Sequence, residues 1–388
     1  MARELLDSEP VFAEHLRRCA DALAPHTDWS LIDTLRGTGA SLDRVDVVQP
    51  VLFAVMTGLA ALWQSAGVRP DAVVGHSQGE IAAAYVAGAL SLEDAAKVAA
   101  LRSRAITALA GTGTMASIPL PAREVEARYT GVEIAAINGP SSTIVAGDQQ
   151  AVAELVERCQ AEGVQAKTVK VDYASHSSHV EAVRERLTEA LAGIRPRTAQ
   201  VAFYSTVTGE PLDTAGLDAT YWYTNLRSTV RYESAVRALR AAGHRLFVEA
   251  SPHPVLTSAT EDTLDGDGVA IGSLRRDDGG RERVLLSFAQ AHAHGAPVDW
   301  NKVFGADPDE APGTPSGGWS CRPTPSSAGP TGWTPRRRSV TRRSWASRRA
   351  RTRCSARPRT CRTAGGCSPA GSAWSPAPGW PTTWSWAR

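Results

Sequence analysis

The chain has 388 residues, long enough for two domains at roughly 150 residues each, and its net charge of +2 hides two unlike parts. Residues 311–388 contain 14 arginines and no lysine, aspartate or glutamate, so of the 42 basic residues 28 remain in residues 1–310 against 40 acidic ones, a net charge of −12. This acidic part has no basic nucleic-acid-binding stripe, no uninterrupted apolar run approaching the ~18 residues of a membrane span, and no signal peptide. We therefore expect a cytoplasmic protein with neither nucleic acid nor membrane as a partner and, with only Cys19 and Cys159 in this part, no disulfide framework.

The first predicted elements are helices separated by one short strand. Apolar residues recur at helical spacing over residues 1–24, 45–63 and 91–109, and Ser91 is a suitable N-cap for the last of these helices. The apolar run at 71–74 predicts a buried strand between the second and third helices.

The pentapeptide Gly75-His76-Ser77-Gln78-Gly79 follows that strand directly and precedes a helical run. Strand, sharp turn and helix around G-x-S-x-G are typical of a nucleophile elbow. Ser77 would then lie at a helix N-terminus, where N–H groups and the helix dipole favour a developing oxyanion. The alternative is a glycine-rich loop whose serine only caps the helix, and the flanking strand and helix favour the elbow.

The pattern of predicted elements changes near residue 114, where strands and helices follow in the order β-α-β-β-α-β. That is the order of the ferredoxin-like split unit. We predict an α/β protein in which a small ferredoxin-like subdomain, residues 114–178, is inserted into a large α/β-hydrolase-like subdomain with a parallel sheet, residues 1–113 and 179–305. The elements predicted after the insertion are helices at 178–194, 231–242 and 281–294 and strands at 200–204 and 245–248.

Residues 306–388 form the third predicted segment, and most of it has an unusual composition. From residue 311 on there is no Leu, Ile, Phe, Tyr or Met, and seven of the 11 tryptophans occur there among Arg, Pro, Ser, Gly and Ala. A segment with so little to bury is expected to be disordered. A nucleic-acid-binding Arg/Trp tail is the alternative, and Cys354, Cys361 and Cys367 match no zinc-ligand spacing with certainty.

A serine nucleophile needs a base within hydrogen-bond reach, and nine histidines are available. His76 adjoins Ser77, but neighbours on a tight turn usually point apart. His176 comes just after the last predicted strand of the small subdomain, at a junction expected to overhang the elbow. The ordinary alternative for a lone histidine is a surface or core residue, and only the location of His176 favours catalysis. Arg102, taken by itself, is more simply a solvated helix arginine.

Five motifs occur in one order, over about residues 1–305, that resembles the acyltransferase domain of bacterial modular type I polyketide synthases. They are GHSQGE at 75–80, LRSR at 101–104, AINGPS at 136–141, YASHS at 173–177 and EASPHP at 249–254.

The resemblance implies a ping-pong transfer without a bound cofactor or metal. Ser77 would attack the thioester of an extender acyl-coenzyme A, and His176 would take the serine proton and later activate the phosphopantetheine thiol of an acyl carrier protein. A backbone carbonyl near residues 251–253 would orient the histidine. Arg102 would hold the free carboxylate of the extender, for which its planar fork suits a bidentate pair. Gln78 would supply an oxyanion N–H, and neighbouring synthase domains would be further partners.

Three positions resemble the methylmalonyl-selective type of this family, which makes methylmalonyl-coenzyme A the expected substrate. In the run from Tyr173 to His176, Ser175 is small where malonyl-selective members carry a phenylalanine, which leaves room for an α-methyl branch. Gln78 and the run RVDVVQ at 44–49 match the same type. One methyl group in an apolar pocket is worth only ~1–3 kcal/mol, so the preference is expected to be leaky.

The sequence also departs from the family. The strand and Gly-Gln-Gly turn that open the family's domain, ahead of the methionine that Met1 resembles, are lacking, so we expect an N-terminally truncated domain with one oxyanion donor missing and one strand edge unpaired. Losing such a donor typically costs ~100–1,000-fold in rate. The alternatives to an acyltransferase are a serine esterase or thioesterase and an inactive fragment of a synthase.

The end of the chain departs as well. At 320–327 the chain reads SCRPTPSS where the family has a Leu-Pro-Thr-Tyr linker. The codons AGC TGC CGA CCT ACG CCT TCC AG encode that run, and read from the last base of the first codon they give Leu-Pro-Thr-Tyr-Ala-Phe-Gln. Our hypothesis is that residues from about 311 onward are an out-of-frame reading of GC-rich coding sequence.

Overall fold

The computed structural model describes residues 2–305 and 384–387, which belong to one compact unit. Helices α1 to α14 of this part are Leu5–Ser8, Pro10–Leu23, Leu31–Arg36, Val45–Ser65, Gly79–Val86, Leu92–Ile106, Ala122–Arg128, Gln149–Ala161, Arg184–Ala190, Ala219–Arg227, Tyr232–Ala241, Thr257–Leu264, Arg281–Ala293 and Trp300–Phe304. Strands β1 to β9 are Ala72–Gly75, Thr114–Ile118, Glu133–Gly139, Ser142–Gly147, Lys167–Val169, Ala202–Tyr204, Leu246–Glu249, Val269–Gly272 and Trp384–Ala387.

The larger sheet has the strand order β6-β1-β9-β7-β8. The pairs β1–β6 and β7–β8 are parallel, as predicted, whereas β9 is antiparallel to both β1 and β7. Every residue of β1 and of β7 is buried, so the backbone groups on the facing edges of these strands need partners inside the protein. Strand β9 supplies those partners.

Three predictions are corrected by β9. The sheet is mixed rather than wholly parallel, and no gap separates β1 from β7. Residues 384–387 also form a strand inside the segment for which the composition predicts disorder, because pairing with two buried strands satisfies their backbone whatever the segment can bury. For residues 306–383, the predictions of disorder and of an out-of-frame reading lie outside the described residues.

The smaller sheet is antiparallel throughout, with the strand order β3-β4-β2-β5. Its elements follow in the chain as β2, α7, β3, β4, α8 and β5, which is the predicted order. One cluster of buried side chains unites the sheet with its two helices, including Ile118 of β2, Val125 of α7 and Val152 of α8. The inserted segment therefore has a core of its own.

Helix α4 is the apolar centre of the larger subdomain and packs against both α2 and α6. A Cβ atom on Gly58 would lie 2.6 Å from the Leu16 side chain and 2.8 Å from the ring of Phe12, so the absence of a side chain brings α2 close to α4. By length and composition α4 is the one helix of the described part that could cross a membrane, but most of it is buried in this core.

Several predicted boundaries differ from the structure. The single helix predicted at 1–24 is divided into α1 and α2 at Glu9, whose extended backbone (φ −126°, ψ 97°) precedes Pro10 at the first turn of α2. The helix predicted at 178–194 begins as a 3₁₀ segment, Ser178–Val183, before α9. Four short elements, α10, α12, α14 and β8, have no sequence prediction.

Candidate active site

The turn between β1 and α5 holds Ser77 in a strained backbone conformation. Its φ is +54°, in the left-handed region that residues with a side chain seldom adopt. A Cβ atom on Gly75 would lie 2.2 Å from the backbone nitrogen of Glu80, so the turn closes only because position 75 is glycine. The structure thus forms the sharp elbow that the sequence predicts.

His176 faces this serine across the junction between the two subdomains. The Ser77 hydroxyl and His176 Nε2 are 2.7 Å apart, and His176 Nδ1 lies 2.8 Å from the carbonyl oxygen of Ser228. A carbonyl can only accept, so Nδ1 carries the proton and Nε2 has a lone pair for the serine proton. His76, in contrast, points away and pairs with Asn138 at 2.8 Å, as the tight turn predicts.

The prediction of an orienting carbonyl near residues 251–253 is wrong. Ser228, directly after α10, provides it, and the 251–254 loop has a different task. The carboxylate of Glu249 accepts hydrogen bonds from the Ser251 hydroxyl at 3.0 Å and from the backbone nitrogens of Val255, Leu256 and Thr257 at 2.8–3.0 Å. The loop is therefore wound around a buried carboxylate at the N-terminus of α12.

Burial, followed by the nearby positive charge of Arg102, lowers the pKa of His176 to about 3. The imidazole is therefore neutral near pH 7 and able to accept a proton. The hydrogen bond with the Ser228 carbonyl acts in the opposite direction, but a neutral carbonyl favours the imidazolium less than a carboxylate would.

Arg102 lies beside the nucleophile and is fully buried. Its Nη2 donates to the Ser77 hydroxyl at 3.2 Å and to Asn225 Oδ1 at 3.1 Å, and its Nη1 donates to Gln49 Oε1 at 3.3 Å. None of the ion pairs within the described residues includes Arg102. The solvated surface position is thereby excluded for this arginine.

Arg102 keeps its positive charge although it is buried. Loss of hydration lowers its pKa to about 10, while the nearby Tyr173 and Glu80 act in the opposite direction. The guanidinium is therefore a positive charge in the interior at neutral pH, in contact with neutral acceptors only.

A narrow cavity opens beside this group of residues. Gln49 and Tyr173 line it and form a hydrogen bond with each other. Burial raises the pKa of the Tyr173 hydroxyl to about 12, and the bond with Gln49 acts against that rise. Ser175 also lines the cavity, and its hydroxyl lies 3.6 Å from Met115 Sδ on the small subdomain. The site is thus shared between the two subdomains.

Gln78 follows the nucleophile at the N-cap of α5 and is buried. Its backbone N–H belongs to the first turn of a helix, where a developing oxyanion is favoured. No cluster of three or more His, Cys, Asp or Glu side chains that could hold a metal ion occurs in residues 2–305.

Four residues of the site are absent from the candidates that the sequence supplies. Gln49 lies in a motif at 44–49 that the sequence relates only to selectivity, and Glu80 only ends the elbow motif. Asn225 and Ser228 lie on and after α10, a helix of 9 residues without a predictive pattern. The hydrogen bonds that reveal these four residues join distant parts of the chain.

The comparisons with known proteins agree on one family. A family model described as "Acyl transferase domain" matches residues 1–298. Polyketide synthase GfsE of Streptomyces halstedii is 57% identical over 322 residues, 80% of this chain and 8% of that protein. The spectinabilin polyketide synthase system protein NorA of Streptomyces orinoci is 54% identical over 314 residues, 78% of this chain and 17% of that protein. The chain therefore spans less than a fifth of either relative.

Solved structures give the same result. The acyltransferase domain from module 8 of the salinomycin polyketide synthase is 56% identical, with a TM-score of 0.76 over 78% of this chain and 74% of that one. A loading acyltransferase from the avermectin modular polyketide synthase is 48% identical, with a TM-score of 0.74 over 75% of this chain and 95% of that one.

Replacement of Gly75 by alanine should disrupt the elbow, since the new methyl group would overlap the backbone of α5, which cannot move aside. We expect the free energy of unfolding to fall by about 3 kcal/mol or more. Gly216→Ala is the matched control, because nothing lies within 4 Å of its Cβ position, and it should change that energy by less than about 0.5 kcal/mol. Urea denaturation followed by circular dichroism measures both, and equal stability of the two variants would contradict the expectation.

Proposed function

The chain belongs to the acyl transferase domain family and is an acyltransferase, and from this premise we propose that it moves an extender acyl group, methylmalonyl by preference, from coenzyme A to an acyl carrier protein. The observation that carries the proposal is the buried Arg102 guanidinium, which donates to the nucleophile's own oxygen and contacts no carboxylate in the described residues. A free carboxylate on the acyl group would give this charge its partner.

The site can perform the transfer in two balanced steps. In the first, His176 Nε2 takes the Ser77 proton while the serine oxygen attacks the thioester carbonyl, and coenzyme A leaves as its thiol after receiving that proton. In the second, the same nitrogen takes the proton of the carrier's phosphopantetheine thiol, the sulfur attacks the acyl ester, and the proton returns to Ser77. The N–H of Gln78 stabilises the oxyanion of each tetrahedral intermediate.

Two other functions use the same dyad. A serine esterase or thioesterase would release the acyl group to water, and neutral acyl chains would need no buried guanidinium beside the nucleophile. The remaining alternative is an inactive fragment of a synthase. The complete elbow and the 2.7 Å contact between Ser77 and His176 favour an active enzyme. We place it in the cytoplasm beside a carrier protein and the other domains of a synthase.

The preference for methylmalonyl rests on the space around Ser175. Ser175 and Met115 both line the cavity and touch each other, with the Ser175 hydroxyl 3.6 Å from Met115 Sδ. A phenylalanine at position 175 would extend into the space that the serine leaves open for an α-methyl branch. Tyr173, two residues before Ser175, lines the same cavity, and its hydrogen bond with Gln49 holds it in position there.

The first test is formation of an acyl-enzyme with methylmalonyl-coenzyme A. Intact-protein mass spectrometry should show a stable adduct on the wild type and none on Ser77→Ala. We expect Arg102→Ala to slow acylation by about 100-fold or more, because the substrate carboxylate loses a charge-assisted bidentate partner, whereas acylation by propionyl-coenzyme A should be little affected. Rapid turnover of the adduct to free acid would instead identify a hydrolase, and no adduct with any extender would identify an inactive fragment.

The second prediction concerns pH. A histidine with an ordinary pKa of 6.5 would lose its basic form below that pH, but His176, with a pKa of about 3, stays neutral. The second-order rate constant for acylation should therefore stay constant from about pH 8 to about pH 5 in stopped-flow measurements. The unfolded chain binds this proton near pH 6.5, so stability falls below that pH by up to about 1.4 kcal/mol per pH unit, and circular dichroism must show a folded protein at each pH. An inflection near pH 6.5 would contradict the assignment.

The third prediction concerns selectivity. Ser175→Phe should fill the space for the α-methyl branch and shift the ratio of acylation rates from methylmalonyl-coenzyme A toward malonyl-coenzyme A by roughly 10- to 100-fold. Competition between the two thioesters, with the adduct masses read on one sample, measures the ratio directly. Ser178→Phe on the exposed side of the same segment is the control. If both variants keep the wild-type ratio, Ser175 does not set the selectivity.

A further inference from the structure

Resting on the proposed function, we infer that Asn225 is a positioning residue that holds the Arg102 guanidinium charged but apart from the carboxylate of Glu80, so that the arginine remains available to the carboxylate of the acyl substrate. The three side chains form one buried row beside the nucleophile, and each is at most 2% exposed. The order in that row, carboxylate, amide and guanidinium, is the observation from which the inference starts.

The amide of Asn225 contacts all the other members of the row. Its Oδ1 accepts from Arg102 Nη2 at 3.1 Å, and its Nδ2 donates to Glu80 Oε2 at 2.9 Å and to the backbone oxygen of Ser77 at 3.3 Å. A guanidinium only donates, and a carboxylate or carbonyl oxygen only accepts, so the orientation of this amide is unambiguous. Asn225 therefore joins the arginine both to its distant counter-charge and to the elbow.

Glu80 has its own complete set of donors. Its Oε1 accepts from the backbone nitrogen of Thr206 and from the Thr206 hydroxyl at 2.8 Å, and its Oε2 accepts from the Tyr221 hydroxyl at 2.7 Å in addition to Asn225. These bonds hold the carboxylate at the far side of the amide. Burial raises the pKa of Glu80, and the bonds from Tyr221, Thr206 and Asn225 act against that rise.

The amide spacer has a consequence for binding. A buried arginine in direct contact with a carboxylate forms a strong bidentate pair, which an incoming substrate carboxylate would have to break. Here the nearby negative charge still favours the charged form of Arg102, but a neutral amide occupies the contact position. Arg102 Nε moreover has no hydrogen-bond partner within the described residues, so the network does not saturate the guanidinium.

Asn225→Asp tests this directly, because it places a carboxylate in contact with Arg102 at almost unchanged volume. We expect the ratio of kcat/KM for methylmalonyl-coenzyme A to that for propionyl-coenzyme A to fall by roughly 10- to 100-fold, the equivalent of one charge-assisted hydrogen bond, mainly through a higher KM for the dicarboxylic substrate. Both substrates are measured on one preparation, so the amount of folded enzyme cancels from the ratio.

Tyr221→Phe is the matched control, since it removes a different hydrogen bond to Glu80 without touching Arg102. It should lower thermal stability and leave the substrate ratio unchanged. That is the result expected of a change that only weakens the network around Glu80. Asn225→Ala, which removes the spacer without adding a charge, is the second variant and should also lower the ratio.

The outcomes separate the two proposals. A wild type that forms no adduct with methylmalonyl-coenzyme A, or no better than with propionyl-coenzyme A, would refute the proposed function itself. A wild type with a strong dicarboxylic preference that both Asn225 variants retain would overturn the role of Asn225 and leave the proposed function intact.

Discussion

A positive charge buried next to a nucleophile is the constraint on which this site depends. Removing a guanidinium from water costs several kcal/mol, a cost that a carboxylate in contact ordinarily offsets. In this protein the contacts of Arg102 are the neutral oxygens of Ser77, Gln49 and Asn225, and the negative charge of Glu80 acts from one side chain further away. The positive charge of Arg102 is thus only partly compensated in the resting enzyme, which suits a site that binds an anion.

The rest of the fold brings four separate pieces of chain to that charge. The β1–α5 elbow supplies Ser77, α6 supplies Arg102, and α4 supplies Gln49. The junction after the small subdomain supplies His176, whose φ of +61° is as unusual as that of the serine. Both members of the dyad therefore occupy strained backbone positions, which the surrounding core must hold in place.

Prediction from sequence succeeded where the physical cause is local. The elbow needs only neighbouring residues, namely glycine at 75 and a strand and a helix on either side, and the long helices α4, α6 and α13 have apolar residues at regular spacing. It failed for α10, because nine residues with no such pattern take their conformation from the core into which Trp222 and Leu226 are buried. The orienting carbonyl was misplaced for the same reason, since it follows α10 directly.

The sequence by itself determined the nucleophile, the histidine and arginine candidates, the inserted β-α-β-β-α-β unit and the resemblance to a family. Only the tertiary structure decided which groups touch: the carbonyl of Ser228 behind His176, the amide of Asn225 between two buried charges, and the antiparallel strand 384–387 between β1 and β7. These contacts join residues 52 to 315 positions apart in the chain. Composition and periodicity report the environment of each residue, but the identity of a distant partner depends on how the helices and strands pack, and no local pattern encodes that packing.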